Sequence, residues 1–441
     1  MIGNKPFITP PRILAAGFAL IIAIGTVLLS LPAASVGGGR IPVMDALFTA
    51  VSATCVTGLV VMDTGTRFTL FGEIVILVMI QLGGIGFMTT ATWIALALRK
   101  RISLRDRLVL KESLNQDSVE GIVRLIIKVF IYAFTVEAVA SLVFALQWAG
   151  ELPWGKALYY GIFHAVSLFN NAGFEIIGGF MPYVDHVGIN LVSMFLIVAG
   201  GLGFIVMSDI VDYPRTRRLS LHSKVVLSVS GILTLTSAVI FLVFEYSNER
   251  TLGGMDWDSK LLVSVFHAIS LRSGGINTVD IAGLHAATQF MMVIMMFIGA
   301  APGSTGGGLK ITTFALLVGA VRAVLTGKED VVLFRSRMPK YLIQKAVTLT
   351  LIAVAVIVAA TMILLTLQDR DFMTVLFEAT SAFGTVGLSM GLTPELTPAG
   401  QTVIMLLMFC GRVGLVTLAF ALQSKPPKEL YRYPEGRIII G

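Results

Sequence analysis

The chain has 441 residues, of which 56% are hydrophobic and only 13% charged. Soluble domains carry about 25% charged residues, so an ordinary soluble enzyme or binding module is excluded and a multi-span helical membrane protein is indicated. The formal net charge of +7 reads as membrane topology and not as nucleic-acid binding, because the basic residues cluster between apolar runs and form no recognisable nucleic-acid module.

The first apolar run, Ile13 to Leu31, is followed by Pro32-Ala33-Ala34-Ser35, which faintly resembles a signal-cleavage site. The run is long for a signal core, and the pattern downstream needs it as a first span. That pattern is an outer apolar helix, a short helix, a glycine loop and an inner apolar helix. In the first copy these fall at about 12–31, 44–54, Gly58 and 70–98. The second copy lies at about 121–148, 156–169, Gly173 and 187–211, and the third at about 222–245, 257–271, Gly275 and 285–322. The fourth lies at about 341–367, 371–382, Gly387 and 398–423. The expected fold is therefore an all-α membrane protein of four helix–pore-helix–helix repeats around a central pore, with eight transmembrane helices and four re-entrant pore loops. The repeats divide the chain at 1–98, 99–212 (with a cytoplasmic linker), 213–322 (with a broken inner helix) and 323–424, leaving a short cytoplasmic tail at 425–441. The short helices cannot span a bilayer, which takes about 20 residues.

The loops read Cys55-Val56-Thr57-Gly58-Leu59, Asn170-Asn171-Ala172-Gly173-Phe174, Arg272-Ser273-Gly274-Gly275-Ile276-Asn277 and Gly384-Thr385-Val386-Gly387-Leu388, with the central glycines 102 to 115 residues apart. Each short helix carries a phenylalanine and, just before its loop, a Ser or Thr. Irregular backbone at membrane depth is tolerated where it is buried in protein or lines a cavity. Four such loops around one axis would present a ring of carbonyls able to replace the hydration shell of a potassium ion. Glycine supplies the backbone conformations required, and four helix C-termini aimed at the axis favour a cation. The filter candidates are Val56, Thr57, Gly58, Asn171, Ala172, Gly173, Ser273, Gly274, Gly275, Thr385, Val386 and Gly387, with K+ at their carbonyls.

The inner helices carry a second repeated mark: Gly83-Gly84-Ile85-Gly86-Phe87, Gly200-Gly201-Leu202-Gly203-Phe204, and Cys410-Gly411-Arg412-Val413-Gly414. In the first two copies small residues are expected to serve close helix packing. The third copy has Pro302, Gly303, Ser304, Thr305, Gly306, Gly307 and Gly308 at that place. Proline and repeated glycine cannot continue a helix, so this copy is expected to break into a loop across the conduction path. Lys310 and Arg412 are basic residues at membrane depth. Arg412 is expected to hold the 302–308 loop through its carbonyls or to repel cations below the filter. Lys310 is assigned to the same gate, with a snorkelling role as the alternative.

Basic clusters at 99–111, 215–224, 322–345 and 425–437 outweigh Arg40, Arg67, Lys156, Arg250, Lys260 and Arg370 on the opposite side, placing both termini in the cytoplasm. The polar stretches 99–120 and 323–340 are helix-compatible. Acidic residues gather on the outer side, where they either concentrate cations or are ordinary loop charges; Glu378 lies inside the fourth short helix. Cys55 and Cys410 suggest no disulfide framework. His164 and His267 occupy matching places, where packing outranks a metal site. The stretch Gly303 to Lys310 fails the phosphate-loop register. No enzyme motif and no organic cofactor site is visible. The rival readings are an alternating-access carrier, which usually shows two inverted halves, and a membrane receptor or structural protein, which has no use for four re-entrant loops.

The motifs at 56–59, 170–174, 384–389 and 302–308, together with Arg412 and the four-fold repeat, resemble the Trk/Ktr/HKT superfamily of potassium transporters over essentially the whole chain. Without an extra leading helix pair, the chain is most similar to the Ktr membrane subunit. The resemblance implies a non-enzymatic K+ uptake protein of the plasma membrane, a homodimer with one pore per protomer, and sodium as a candidate activator. It also implies a cytosolic nucleotide-binding RCK-type regulatory ring that gates the intramembrane loop. The third loop departs from the family's usual Arg-Thr-Ala-Gly-Phe-Asn.

Overall fold

The computed structural model describes residues 10–98, 108–110, 121–414 and 417. The tail at 425–441 and, apart from 108–110, the basic segment 99–111 lie outside the described residues.

The described chain is almost wholly helical. The first quarter comprises α1 (Pro10–Leu29), α2 (Val43–Thr54), the one-turn α3 (Thr64–Arg67), α4 (Leu70–Ile85) and α5 (Phe87–Ala97). The second comprises α6 (Ile122–Trp148), α7 (Trp154–Phe169), α8 (Val187–Gly201) and α9 (Phe204–Thr216). The third comprises α10 (Leu221–Glu245), α11 (Trp257–Ser270), α12 (Ala286–Phe297) and α13 (Ile311–Leu325). The fourth comprises α14 (Lys340–Leu367), α15 (Phe372–Gly384) and α16 (Pro398–Val413).

Helix starts follow local chemistry. Thr69, Thr397 and Asp371 accept from backbone N–H groups three residues on, at Gly72, Gly400 and Thr374, which satisfies donors that an uncapped helix leaves orphaned. Pro42 and Pro153 precede α2 and α7, where a missing N–H removes no helical bond.

Four helices, α1, α6, α10 and α14, are long and apolar enough to cross a membrane, and α8 with α9, bent by 103°, would make a fifth. Residues such as Leu20, Leu235, Leu351 and Met362 are more than 60% exposed on these helices, an outward apolar surface suited to hydrocarbon and not to water.

The inner segments differ from the sequence-based expectation. The spans expected over 70–98 and 187–211 are not continuous. The first breaks at Gly86 (φ +90°) and the second at Gly203 (φ +89°), while α16 ends at Gly414 (φ +90°). The break expected only in the third copy thus occurs in the first two as well, at corresponding places, and α16 ends at the corresponding Gly414, beyond which only residue 417 is described. Close packing is nonetheless part of the cause. A β-carbon on Gly83, Gly200 or Gly411 would strike the carbonyl of Thr54, Phe169 or Phe383, the last residues or near-last residues of the short helices. The polar stretch 323–340 also differs, because beyond α13 it forms a two-stranded hairpin, Val332–Leu333 with Ser336–Arg337. Phe334 and Arg335 both take positive φ, the turn geometry that suits right-twisted strands.

Candidate functional site

The ends of α2, α7, α11 and α15 are buried together at the centre of the molecule. Each short helix contributes a fully buried phenylalanine at a corresponding place, Phe48, Phe163, Phe266 or Phe377, which anchors it by packing. Beyond each end the backbone enters the left-handed region twice. The first residue is not glycine: Val56 (φ 50°), Asn171 (57°), Ser273 (86°) and Thr385 (49°). The second, two positions on, is Gly58, Gly173, Gly275 or Gly387. Left-handed conformation costs an L-residue roughly 1–2 kcal/mol, so four side-chain-bearing residues held there at corresponding places mark a strained, imposed geometry.

The four glycines meet. A β-carbon on Gly58 would lie 2.5 Å from the Ala172 carbonyl oxygen and 2.9 Å from Gly173 Cα. One on Gly173 would lie 2.9 Å from Gly275 Cα, and one on Gly275 2.7 Å from the Val386 carbonyl oxygen. One on Gly387 would strike the Thr57 carbonyl and lie 3.2 Å from Gly58 Cα. Contacts therefore run from the first loop to the second, third and fourth and back to the first. Thr57, Ala172, Gly274 and Val386 fall between these pairs, all buried.

Serines near the short-helix ends fasten the loops. Ser52 and Ser381 hydroxyls accept from the Gly58 and Gly387 N–H groups (3.1 Å each). Ser167 and Ser270 donate to the Phe174 (2.6 Å) and Ile276 (2.5 Å) carbonyls. The Ser–Gly interval is one residue shorter in the third copy, at 270 to 275.

Residues 298–310 form a loop between α12 and α13, closed on itself by Gly299 N–H to the Leu309 carbonyl (2.8 Å) and Ala300 N–H to the Gly307 carbonyl (3.3 Å). It leans on the α8–α9 break through Ala301 N–H to Gly201 O (3.1 Å) and Phe204 N–H to Gly303 O (2.9 Å). Pro302 and Ser304 form its bend, Ser304 donating to the Ala301 carbonyl (2.6 Å). Two side chains join it to the glycine loops. Thr385 Oγ1 accepts from Gly307 N–H (2.8 Å). The Asn171 amide, oriented so that all its atoms are satisfied, accepts from the Thr305 hydroxyl (3.0 Å) and Gly201 N–H (3.2 Å). Gly306 lies against Ser273, and Gly308 against Gly384. Arg412 donates to the carbonyls of Thr305, Gly83 and Gly84, the last at 2.8 Å. Lys310 Nζ donates to the Gly306 carbonyl (2.7 Å), folding back on the loop and not snorkelling. A cavity of about 590 Å³ adjoins the loop, lined by Gly86, Pro302, Lys310, Leu333, Lys345 and Arg412 among others.

Residues 13–432 match the family model described as TrkH, a cation transport protein. The chain belongs to the TrkH cation transport protein family. It is 40% identical to the Ktr system potassium uptake protein B of Bacillus subtilis, over 98% of this chain and 97% of that one. It is 36% identical to the potassium/sodium uptake protein NtpJ of Enterococcus hirae, over 98% of each. In fold it is similar to the crystal structure of the potassium transporter TrkH from Vibrio parahaemolyticus, with a TM-score of 0.74 at 16% identity, covering 96% of this chain and 86% of that one.

Within this member of the family, several singled-out residues have structural duties. His164 and His267 are buried, each with Nδ1 against the carbonyl four residues back, Tyr160 (2.7 Å) and Val263 (3.0 Å). Among the described residues no group of three or more His, Cys, Asp or Glu side chains is arranged to hold a metal. Both cysteines are free. Glu378 accepts from Ser389 Oγ (2.8 Å) and from Thr393, strapping the chain that leaves the fourth loop. Glu245 accepts from Thr288, Thr251, Asn248 and the His285 N–H, tying α10 to the start of α12. Arg370 pairs with Glu395. The first residues of the loops, Asn170 among them, were not among the site residues expected from the sequence. Aligning the four loops on their glycines would have drawn attention to them, because Cys55, Asn170, Arg272 and Gly384 correspond yet differ in chemistry.

Proposed function

We propose that this chain is the potassium-conducting membrane subunit of an uptake system, carrying K+ inward down its electrochemical gradient. The closed circuit of Gly58, Gly173, Gly275 and Gly387 carries the reading. In this proposal the four quarters are helix–pore-helix–helix repeats around one pore, giving eight spans and four re-entrant loops. Carbonyls of residues 56–58, 171–173, 273–275 and 385–387 replace the ion's water. Residues 302–308, Lys310 and Arg412 form the gate beneath them. Both termini are cytoplasmic in the cell membrane, two copies pair, and a cytosolic nucleotide-binding ring of RCK type sets the gate. Sodium is the candidate activator, a reading supported by the name of the Enterococcus relative. No enzymatic step and no organic cofactor is assigned to this chain.

Uptake of Rb+ or K+ into proteoliposomes, with and without an imposed potential, tests the reading. A pore gives flux that follows the electrochemical gradient of the permeating ion alone. Flux that requires a co-transported ion at fixed stoichiometry would favour an alternating-access carrier and reject the pore.

A second measurement probes the serine fastening. Ser270→Ala leaves the buried Ile276 carbonyl without its partner, at about 1–3 kcal/mol. The K+ over Na+ flux ratio is expected to fall severalfold while K+ uptake persists. An unchanged ratio means that Ser270 does not set the third loop.

A further inference from the structure

A carboxylate stands directly behind the second glycine loop. Glu137, in the middle of α6, is only 4% exposed, and its partners are amides. Its Oε2 accepts from Gln81 Nε2 (3.0 Å) and its Oε1 from Asn170 Nδ2 (3.1 Å). The two hydrogens on Asn170 Nδ2 are shared among three acceptors, since Gln81 Oε1 (2.7 Å) and the Val166 carbonyl (2.9 Å) lie within reach as well. Three elements are thereby joined: α4 through Gln81, α6 through Glu137, and the end of α7 through Asn170. Asn170 precedes Asn171 and lies three residues before Gly173. It also supports the inner segment, since a β-carbon on Gly84 would strike its side-chain oxygen.

A buried carboxyl group is expensive in an apolar setting unless it is hydrogen-bonded, and one whose two oxygens each accept from an amide fixes both amides relative to each other. The corresponding positions in the other loops are Cys55, Arg272 and Gly384. Cys55 and Gly384 have no amide or guanidinium to offer, and Arg272 reaches only the Ser230 carbonyl, at 3.5 Å. The carboxylate–amide tie is thus particular to the second quarter. Beside it an apolar cleft of about 540 Å³ opens between α4, α6 and α7, lined by Leu77, Val78, Phe134, Leu142 and Ile162. Besides Gln81 and Glu137, Asn170 has among the described residues only the Val166 carbonyl of its own helix (2.9 Å) as a side-chain partner, which ties it to neither α4 nor α6.

We infer that Glu137 is a positioning residue for ion selection: through Asn170 and Gln81 its carboxyl group fixes the second glycine loop at the width that favours K+ over Na+. This rests on the filter proposed above. The filter needs its four loops at a common distance from the ion, and a loop free to shift admits the smaller ion.

The test is the K+ to Na+ permeability ratio of the full-length protein in proteoliposomes, for wild type, Glu137→Ala, Glu137→Gln and Phe134→Ala. Glu137→Ala is expected to lower the ratio about tenfold, through the loss of two buried hydrogen bonds, while K+ flux persists. Glu137→Gln, which keeps one acceptor, should fall between it and wild type. Phe134→Ala disturbs the same helix and cleft without touching Asn170 and should keep the wild-type ratio. If Glu137→Ala selects as wild type does, or if Phe134→Ala lowers the ratio equally, the inference is overturned. Should Glu137→Ala fail to fold, Gln81→Leu removes one of the same bonds and must lower the ratio. A wild type without K+ flux would instead reject the filter reading itself.

Discussion

Gly387→Ser is expected to abolish K+ uptake, and Gly58→Ala to reduce it by at least tenfold. Both residues hold φ near +90°, where any β-carbon is strained by roughly 1–2 kcal/mol. The steric term is larger. A β-carbon at Gly387 collides with the Thr57 carbonyl and approaches Gly275 Cα to 3.1 Å, and one at Gly58 meets the Ala172 carbonyl oxygen at 2.5 Å. These obstacles are backbone of neighbouring loops and not flexible side-chain ends, so relief requires that the loops move apart. Rb+ influx into proteoliposomes, measured on protein whose thermal midpoint and elution match wild type, reads the effect. Substitution at Gly178 serves as a control. It too has positive φ, +85°, but nothing lies within 4 Å of its added β-carbon, and influx there should stay near wild type. Equal influx in Gly387→Ser and wild type would show that the meeting of the four loops is not the ion path.

Arg412→Gln is expected to raise K+ flux about tenfold or more. The guanidinium donates to carbonyls of Thr305, Gly83 and Gly84, so one side chain of the fourth quarter bridges the first and the third. Hydrogen bonds to a charged group contribute about 1.5–3 kcal/mol each, and losing the one to Thr305, with the two that anchor the guanidinium on Gly83 and Gly84, frees the 298–310 loop to leave its present place. The loop keeps weaker ties, Gly307 N–H to Thr385 and Thr305 to Asn171. Arg412→Lys separates tethering from charge. An ammonium retains the positive charge but lacks the planar fork that reaches several carbonyls at once. Flux near wild type in the lysine variant assigns closure to charge repulsion, and flux near the glutamine variant assigns it to tethering. Unchanged flux in Arg412→Gln would reject the gate. Loss of uptake in a folded protein would mean that Arg412 organises the pathway instead of closing it.

Much of this architecture was legible in the chain because its signals are local. A glycine after each short apolar helix, a phenylalanine nine or ten residues before that glycine and a serine five or six before it recur at corresponding places. The helix bounds followed within a few residues: α7, expected over 156–169, runs from Trp154 to Phe169, and α11, expected over 257–271, from Trp257 to Ser270. Proline at 302 with the glycines after it announced the third break, since neither residue sustains a helix. The breaks at Gly86 and Gly203 and the end of α16 at Gly414 were not legible, because an isolated glycine among apolar residues serves close packing as readily as a kink.

The amino-acid order by itself determined the succession of long and short apolar helices and the glycine after each short one, consequences of hydrophobic length and of missing β-carbons, whereas the left-handed backbone at Val56, Asn171, Ser273 and Thr385 came from the tertiary structure. Only the tertiary structure decided who meets whom: that Gly58 faces Gly173 and Gly387, that Arg412 spans three quarters, and that Glu137, 33 residues from Asn170, is its acceptor. Pairing of this kind depends on distances between segments far apart in sequence. A hydrogen bond is made or lost within a few tenths of an ångström, a precision that no local pattern of residues encodes.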